Sequence, residues 1–342
     1  MIARIWHTVG LSLARERKSS GGRPASLRRR RHGSLIVNIR WMYAAAALVA
    51  TGAGILTAQD APATKPSLAA TVGSTQITTA QIDQLASKQQ LPPDANASVM
   101  KGLRQMILNQ FIHGELLHSF LEANKASCTP DDVDKVKKDI EKAAGERKMT
   151  FDDWMAATGM TMARLTDLVR AQKLLEATAS DAKVDEYIKA HPSYFNGTKV
   201  QASHILIACN PLGSTEEQKA AIKKLEGLAE EIKSGKLTFA MAATLHSSCP
   251  SKAKGGDLGE FAFESMVPQF AKAAFDAPTG TLTGVIRTRF GFHLIKVGEK
   301  KESKDAPKNE PRAVAKAAIQ ADIENQILDQ AMTSCPITII EK

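Results

Sequence analysis

Residues 249–270 read CPSKAKGGDLGEFAFESMVPQF, and residues 284–297 read GVIRTRFGFHLIKV. Gly255-Gly256 and Gly259 bracket Asp257-Leu258, so the backbone turns sharply there and enters a short strand over Leu258 to Phe261. From Phe263 to Phe275 apolar residues recur at helical spacing through Met266, Phe270 and Ala274, with Pro268 near the helix start. Val285 to Val297 predicts two strands around a turn at Phe290-Gly291, with Ile286, Phe292, Leu294, Ile295 and Val297 as strand formers. Upstream, Val200 to Ile207 (VQASHILI) is a further strand that carries His204. Two histidines, one cysteine and several large apolar side chains on one small sheet mark a candidate site.

These motifs, in this order and preceded by ASHILI, resemble the parvulin-type peptidyl-prolyl cis/trans isomerase domain over residues 197–299. The resemblance implies an α+β fold: a four-stranded, mostly antiparallel sheet with surrounding helices. It places the family's paired histidines on His204 and His293, and its cysteine-or-aspartate position on Cys249. The proline pocket falls on Leu258, Met266 and Phe270, and Phe290 holds the position just before the last strand. The apolar residues also fit a plain core role. Cys249 fits either an electrostatic role near the substrate carbonyl or a neutral thiol lining the pocket.

The rest of the composition narrows the function. The 342 residues carry a formal net charge of +9, which invites a nucleic-acid reading. Residues 1–58, however, hold ten Lys or Arg and one acid, which leaves 35 bases against 35 acids in the remainder. The body is neutral, so a nucleic-acid partner is disfavoured. Met42 to Leu56 (MYAAAALVATGAGIL) has signal-peptide length and is short for a membrane span. Residues 1–58 are thus expected to be a basic leader with a signal peptide, or alternatively a signal anchor. The chain would be periplasmic or otherwise exported, touching a membrane only through that leader if it is uncleaved.

Residues 59–67 form a polar, Pro-containing linker. Leu68 to Ile77 predicts a short hairpin turning at Gly73-Ser74. Helices follow over Thr79–Gln90, Asn96–Lys125, Thr129 to about Gly145, Thr150–Ala157, Thr161–Ala179 and Val184–Phe195. The longest has an apolar stripe of Leu103, Ile107, Phe111, Gly114, Leu117 and Leu121. Its His113 and His118 are five apart, a poor metal spacing, and no metal or cofactor is expected anywhere. After helices at 214–234 and 238–246 and the sheet motifs, residues 300–311 are a charged linker. Arg312–Met332 is Ala-rich and helical, and Pro336–Ile340 (PITII) is a strand.

A hairpin, then a helical bundle, then the parvulin motifs resembles the secreted SurA and PrsA foldases. The resemblance implies that residues 68–195 and 312–342 form one mainly helical chaperone-like domain, with the isomerase inserted in it. The terminal strand would then pair beside Leu68 to Val72, since an unpaired apolar strand is a liability. Deleting residues 303–342 should, on this reading, unfold the helical part and spare the insert.

The expected chemistry is non-covalent. Amide resonance opposes rotation about an X-Pro bond by ~18–20 kcal/mol, and a catalyst need only bind the twisted amide better than either planar form. The expected partners are unfolded or partly folded polypeptides containing X-Pro. ACNPLGSTEEQ, after His204, lacks the basic cluster that phosphate recognition requires. Cys128, Cys209, Cys249 and Cys335 allow three full pairings, among which Cys128–Cys335 would tie the tail to the bundle. A chaperone without catalysis is the rival reading.

Overall fold

The computed structural model describes residues 67–89, 96–302 and 310–341. The leader over 1–58, almost all of the 59–67 linker and the middle of the 300–311 linker lie outside the described residues. Among the described residues, no helix is long and apolar enough to cross a membrane.

The chain opens with β1 (Leu68–Val72) and β2 (Thr75–Thr78), an antiparallel hairpin closed at Gly73-Ser74. Six helices follow: α1 (Thr79–Ser87), α2 (Ala97–Ala123), α3 (Pro130–Gly145), α4 (Phe151–Thr158), α5 (Met162–Thr178) and α6 (Asp181–Ala190). Their starts are written locally. Thr78, Thr129 and Thr150 each accept the N3 backbone N–H while the N3 side chain bonds back, which satisfies two otherwise orphaned donors per helix. The expected single helix over Val184–Phe195 is instead broken into α6 and a short α7 (Pro192–Phe195). Pro192 cannot donate to the preceding turn, and His191 leaves the helical region at φ −125°, ψ 60°.

The second sheet is entirely antiparallel, in the order β4-β3-β6-β5, from β3 (Lys199–Ala208), β4 (Asp257–Ala262), β5 (Ile286–Thr288) and β6 (Gly291–Lys301). Between β3 and β4 run α8 (Thr215–Lys233) and α9 (Phe239–His246). Between β4 and β5 runs α10 (Pro268–Asp276). Successive strand residues face opposite sides. Ile205, Phe292 and Leu294 pack with Leu225, Phe239 and Ala242 of α8 and α9. Val200, Ala202, Ile295 and Val297 pack with Phe270, Ala274 and Phe275 of α10.

The tail consists of α11 (Pro311–Asp329), a 3₁₀ turn (Gln330–Met332) and β7 (Ile337–Ile339). β7 pairs antiparallel with β1, Val72 opposite Ile337 and Ala70 opposite Ile339, completing a three-stranded sheet β2-β1-β7. A strand over 260 residues away thus covers the open edge of the first hairpin.

Two expectations need correction. The buried face of α2 is wider than a single stripe, comprising Leu103, Ile107, Leu108, Ile112, Leu116, Leu117, Phe120 and Leu121. α5, α11 and the β1 sheet all pack on it. Phe111 and Gly114 flank this face; Gly114 leaves room for the Arg164 guanidinium, which sits 4.5 Å from the Phe111 ring centre. Second, the sheet segment is not independent of the tail. Ala315, Ala318 and Ile319 of α11 share one core with Phe270, Ala271 and Phe275, together with Val184, Tyr194 and Phe195. The far half of α11, Ile327 and Leu328, belongs to the bundle core. α11 therefore bridges both bodies, and removing it would bare apolar surface on each.

Candidate active site

β3 and β6 place His204 and His293 on the same sheet face, since His204 is paired with Ile295 and Leu206 with His293. The two imidazoles stack with centres 5.3 Å apart and planes 19° from parallel, and their Nδ1 atoms are 3.1 Å apart. Phe270 presents its edge to both, at 5.5 and 5.4 Å. All three are buried: His204 is 6%, His293 3% and Phe270 4% exposed. Burial pushes His204 down to about 4, and burial plus repulsion from His204 pushes His293 down to about 3. At neutral pH the pair is therefore uncharged.

Thr288 Oγ1 accepts the Phe290 N–H at 3.1 Å and lies 2.8 Å from His293 Nε2. Its hydroxyl keeps one proton to give and a second lone pair to receive with, so it can pair with either tautomer of His293, and the proton between the two Nδ1 atoms follows from which tautomer that is. A backbone N–H, a hydroxyl and two imidazoles thus form one hydrogen-bonded chain that ends at His204 Nε2, a buried atom without a partner.

Two glycines let the backbone close around this face. The Gly256 carbonyl accepts the His204 N–H at 2.9 Å, and with φ +86° a Cβ there would stand 2.5 Å from the His204 carbonyl oxygen. Gly291, at φ +128°, turns β5 into β6, and a Cβ would stand 2.3 Å from the Ile207 carbonyl oxygen.

The remaining predicted residues are placed differently. Leu258 and Met266 are half-buried against the same apolar core as Phe270. Phe290 does not join that core: it is 51% exposed on the β5–β6 turn, with the Arg289 guanidinium 4.8 Å from its ring centre. Cys249 is half-buried on the loop after α9. That loop is bound to β3 beside the site, for Ser247 Oγ accepts the N–H groups of Leu206 and Cys249, and Ser248 N–H donates to Leu206. Sequence reasoning missed Thr288 and Ser247. The signal for Thr288 was present, because a threonine two residues before the turn-forming Phe290-Gly291 favours the side-chain-to-backbone bond it makes.

All four cysteines are free thiols, and Cys335 donates to Ser119 Oγ rather than bridging to Cys128. His118 pairs with Asp167 at 2.9 Å. Among the described residues, no group of three or more His, Cys, Asp or Glu is placed to hold a metal ion.

Residues 204–299 match the model of the PPIC-type PPIase domain, and residues 26–179 match that of the SurA-like N-terminal domain. Foldase protein PrsA 4 of Bacillus cereus is 26% identical over 239 residues, 68% of this chain and 73% of that protein. Chaperone SurA of Xanthomonas euvesicatoria is 28% identical over 225 residues; the match covers 63% of this chain and 47% of the relative's length. The crystal structure of the peptidylprolyl isomerase PrsA from Bacillus anthracis is 20% identical, with 66% of this chain and 94% of that one covered and a TM-score of 0.32. With its paired imidazoles, its four-stranded antiparallel sheet and these two matches, the chain carries a parvulin-type peptidyl-prolyl cis/trans isomerase domain and a SurA-like N-terminal domain.

Proposed function

We propose that this isomerase and folding chaperone acts on unmodified, apolar X-Pro segments of unfolded exported polypeptides. Rotation is non-covalent. The proline ring enters a dry cup made by Leu258, Met266 and Phe270, with Phe290 extending its rim. A twisted amide has a less polar carbonyl and a nitrogen lone pair freed from resonance. A water-poor site gains on the planar amide, which is better solvated outside. His204 and His293 shape the polar edge of the cup, and Cys249 lines it. The observation that carries this reading is the imidazole pair itself: uncharged, stacked, and sealed under Phe270, it suits binding a neutral, partly apolar group rather than proton transfer at neutral pH.

Two further features support the choice of substrate. Glu216 and Glu217 open α8 soon after the site strand, where a phosphate reader would carry bases. The PrsA and SurA relatives are named as a foldase and a chaperone, which supports unfolded chains as clients and an exported, periplasmic or surface location.

The test is isomerisation of a peptide series by the full chain, followed by proton exchange spectroscopy. Leu-Pro and Ala-Pro peptides should turn over at least tenfold faster than phosphoserine-Pro. A preference for the phosphorylated peptide would overturn the substrate reading. Suppression of aggregation with no isomerisation above background would favour the non-catalytic holdase.

A further inference from the structure

We infer that Arg287 is a positioning residue of the isomerase site, held by Asp329 at the end of the C-terminal helix. The inference rests on the isomerase reading above and concerns how that site is kept in shape. β5 is a three-residue edge strand, registered on β6 by Ile286 opposite His293, Arg287 opposite Phe292 and Thr288 opposite Gly291. It carries Thr288, whose hydroxyl fixes the His293 ring, and leads straight into Phe290. So short an edge strand has few ladder bonds to resist sliding, while the hydroxyl–imidazole bond tolerates only a few tenths of an ångström.

Arg287 supplies the missing restraint from the opposite sheet face. Its side chain is only 9% exposed, its guanidinium lies 5.5 Å from the Phe292 ring centre, and Nη1 donates to Asp329 Oδ1 at 2.8 Å. Asp329 is the last residue of α11, anchored by Ile327 and Leu328 in the bundle core. A nearby joint strengthens this end: the buried Thr215 hydroxyl donates to the Ala331 carbonyl and accepts the Ile337 N–H. The position of Thr288 is thereby referred to the chaperone-like bundle rather than to the small sheet alone. Weakening the Arg287–Asp329 bond should let β5 slide, unlock the His293 tautomer and lower turnover, with little change in how tightly the proline segment binds.

The experiment uses the full chain. Asp329→Asn should lower kcat at least fivefold with KM within twofold, because small misplacements in a site are costly. Asp329→Glu, which keeps the charge, should recover kcat to within threefold of wild type. Asp322→Asn is the control. It breaks another ion pair to the same helix, Lys272–Asp322 at 3.4 Å, which is made from α10 rather than from β5; it should leave kcat within twofold. Side-chain nitrogen spectra supply an independent reading: His293 should hold a single tautomer in the wild type and a tautomer mixture in Asp329→Asn. Wild-type kcat in Asp329→Asn, an equal loss in Asp322→Asn, or unaltered His293 signals would each overturn the inference. A wild-type chain without isomerase activity would sink the functional reading instead, while the nitrogen spectra would still judge the tether.

Discussion

The imidazole pair should make the protein acid-labile in a window where carboxylates are still ionised. His204 and His293 are held down to about 4 and about 3, chiefly by burial, against an ordinary value of 6.5. In the unfolded chain both titrate near 6.5, so the unfolded state binds more protons as pH falls, and stability must fall with it. The stabilising contribution is complete above pH 6.5 and is lost progressively on the way down to about 4 and 3. Each fully suppressed proton costs about 1.4 kcal/mol per pH unit below 6.5. Between pH 7 and pH 5 that is about 2 kcal/mol per imidazole, or about 4 kcal/mol for the pair. Urea unfolding at pH 7, 6 and 5 measures it, with a His204→Asn/His293→Asn double variant subtracting the other histidines and the acids. The wild type should lose about 4 kcal/mol more than the double variant across this range. Equal slopes in the two proteins, or imidazole resonances titrating near 6.5 in the folded state, would refute the claim that the pair is buried and neutral.

Thr288→Val keeps the side chain's shape but strands His293 Nε2, and is expected to cost about 1–3 kcal/mol of stability, read by urea unfolding, with a mixed His293 tautomer in nitrogen spectra. Met266→Ala, at a half-buried position, should raise KM for Leu-Pro peptides by at least threefold with a small change in melting temperature. Phe270→Ala, at a fully packed one, should cost about 3–5 kcal/mol, measured by thermal melting. Cys249→Ser should retain at least a tenth of wild-type kcat/KM in the peptide assay, and loss of all activity would point to a covalent role. Truncation after residue 302 should leave neither body folded, since it removes β7 from β1 and α11 from both cores; a trypsin-resistant core spanning residues 197–299 would contradict this.

Much of the architecture was legible because it is specified by neighbours in the chain. The helix-start threonines at 129 and 150, the helix-opening prolines at 130 and 268, and the turn at Phe290-Gly291 each act within a few residues. A local rule suffices to find them. The candidate site residues His204, His293 and Phe270 were named from the family resemblance that the motif order carries, and the structure brings all three into contact. Phe290 illustrates the limit: hydrophobicity alone could not say that its ring lies outward under Arg289.

By itself, then, the sequence determined most of the elements, their order, and which strands carry the two histidines. Only the tertiary structure decided that both imidazoles are neutral, that Thr288 orients them, and that one C-terminal helix is shared by two cores. Those facts depend on desolvation and on hydrogen bonds between residues far apart in the chain, such as His204 with His293 and Arg287 with Asp329. Burial and long-range pairing are properties of the packed whole, and no window of sequence contains them.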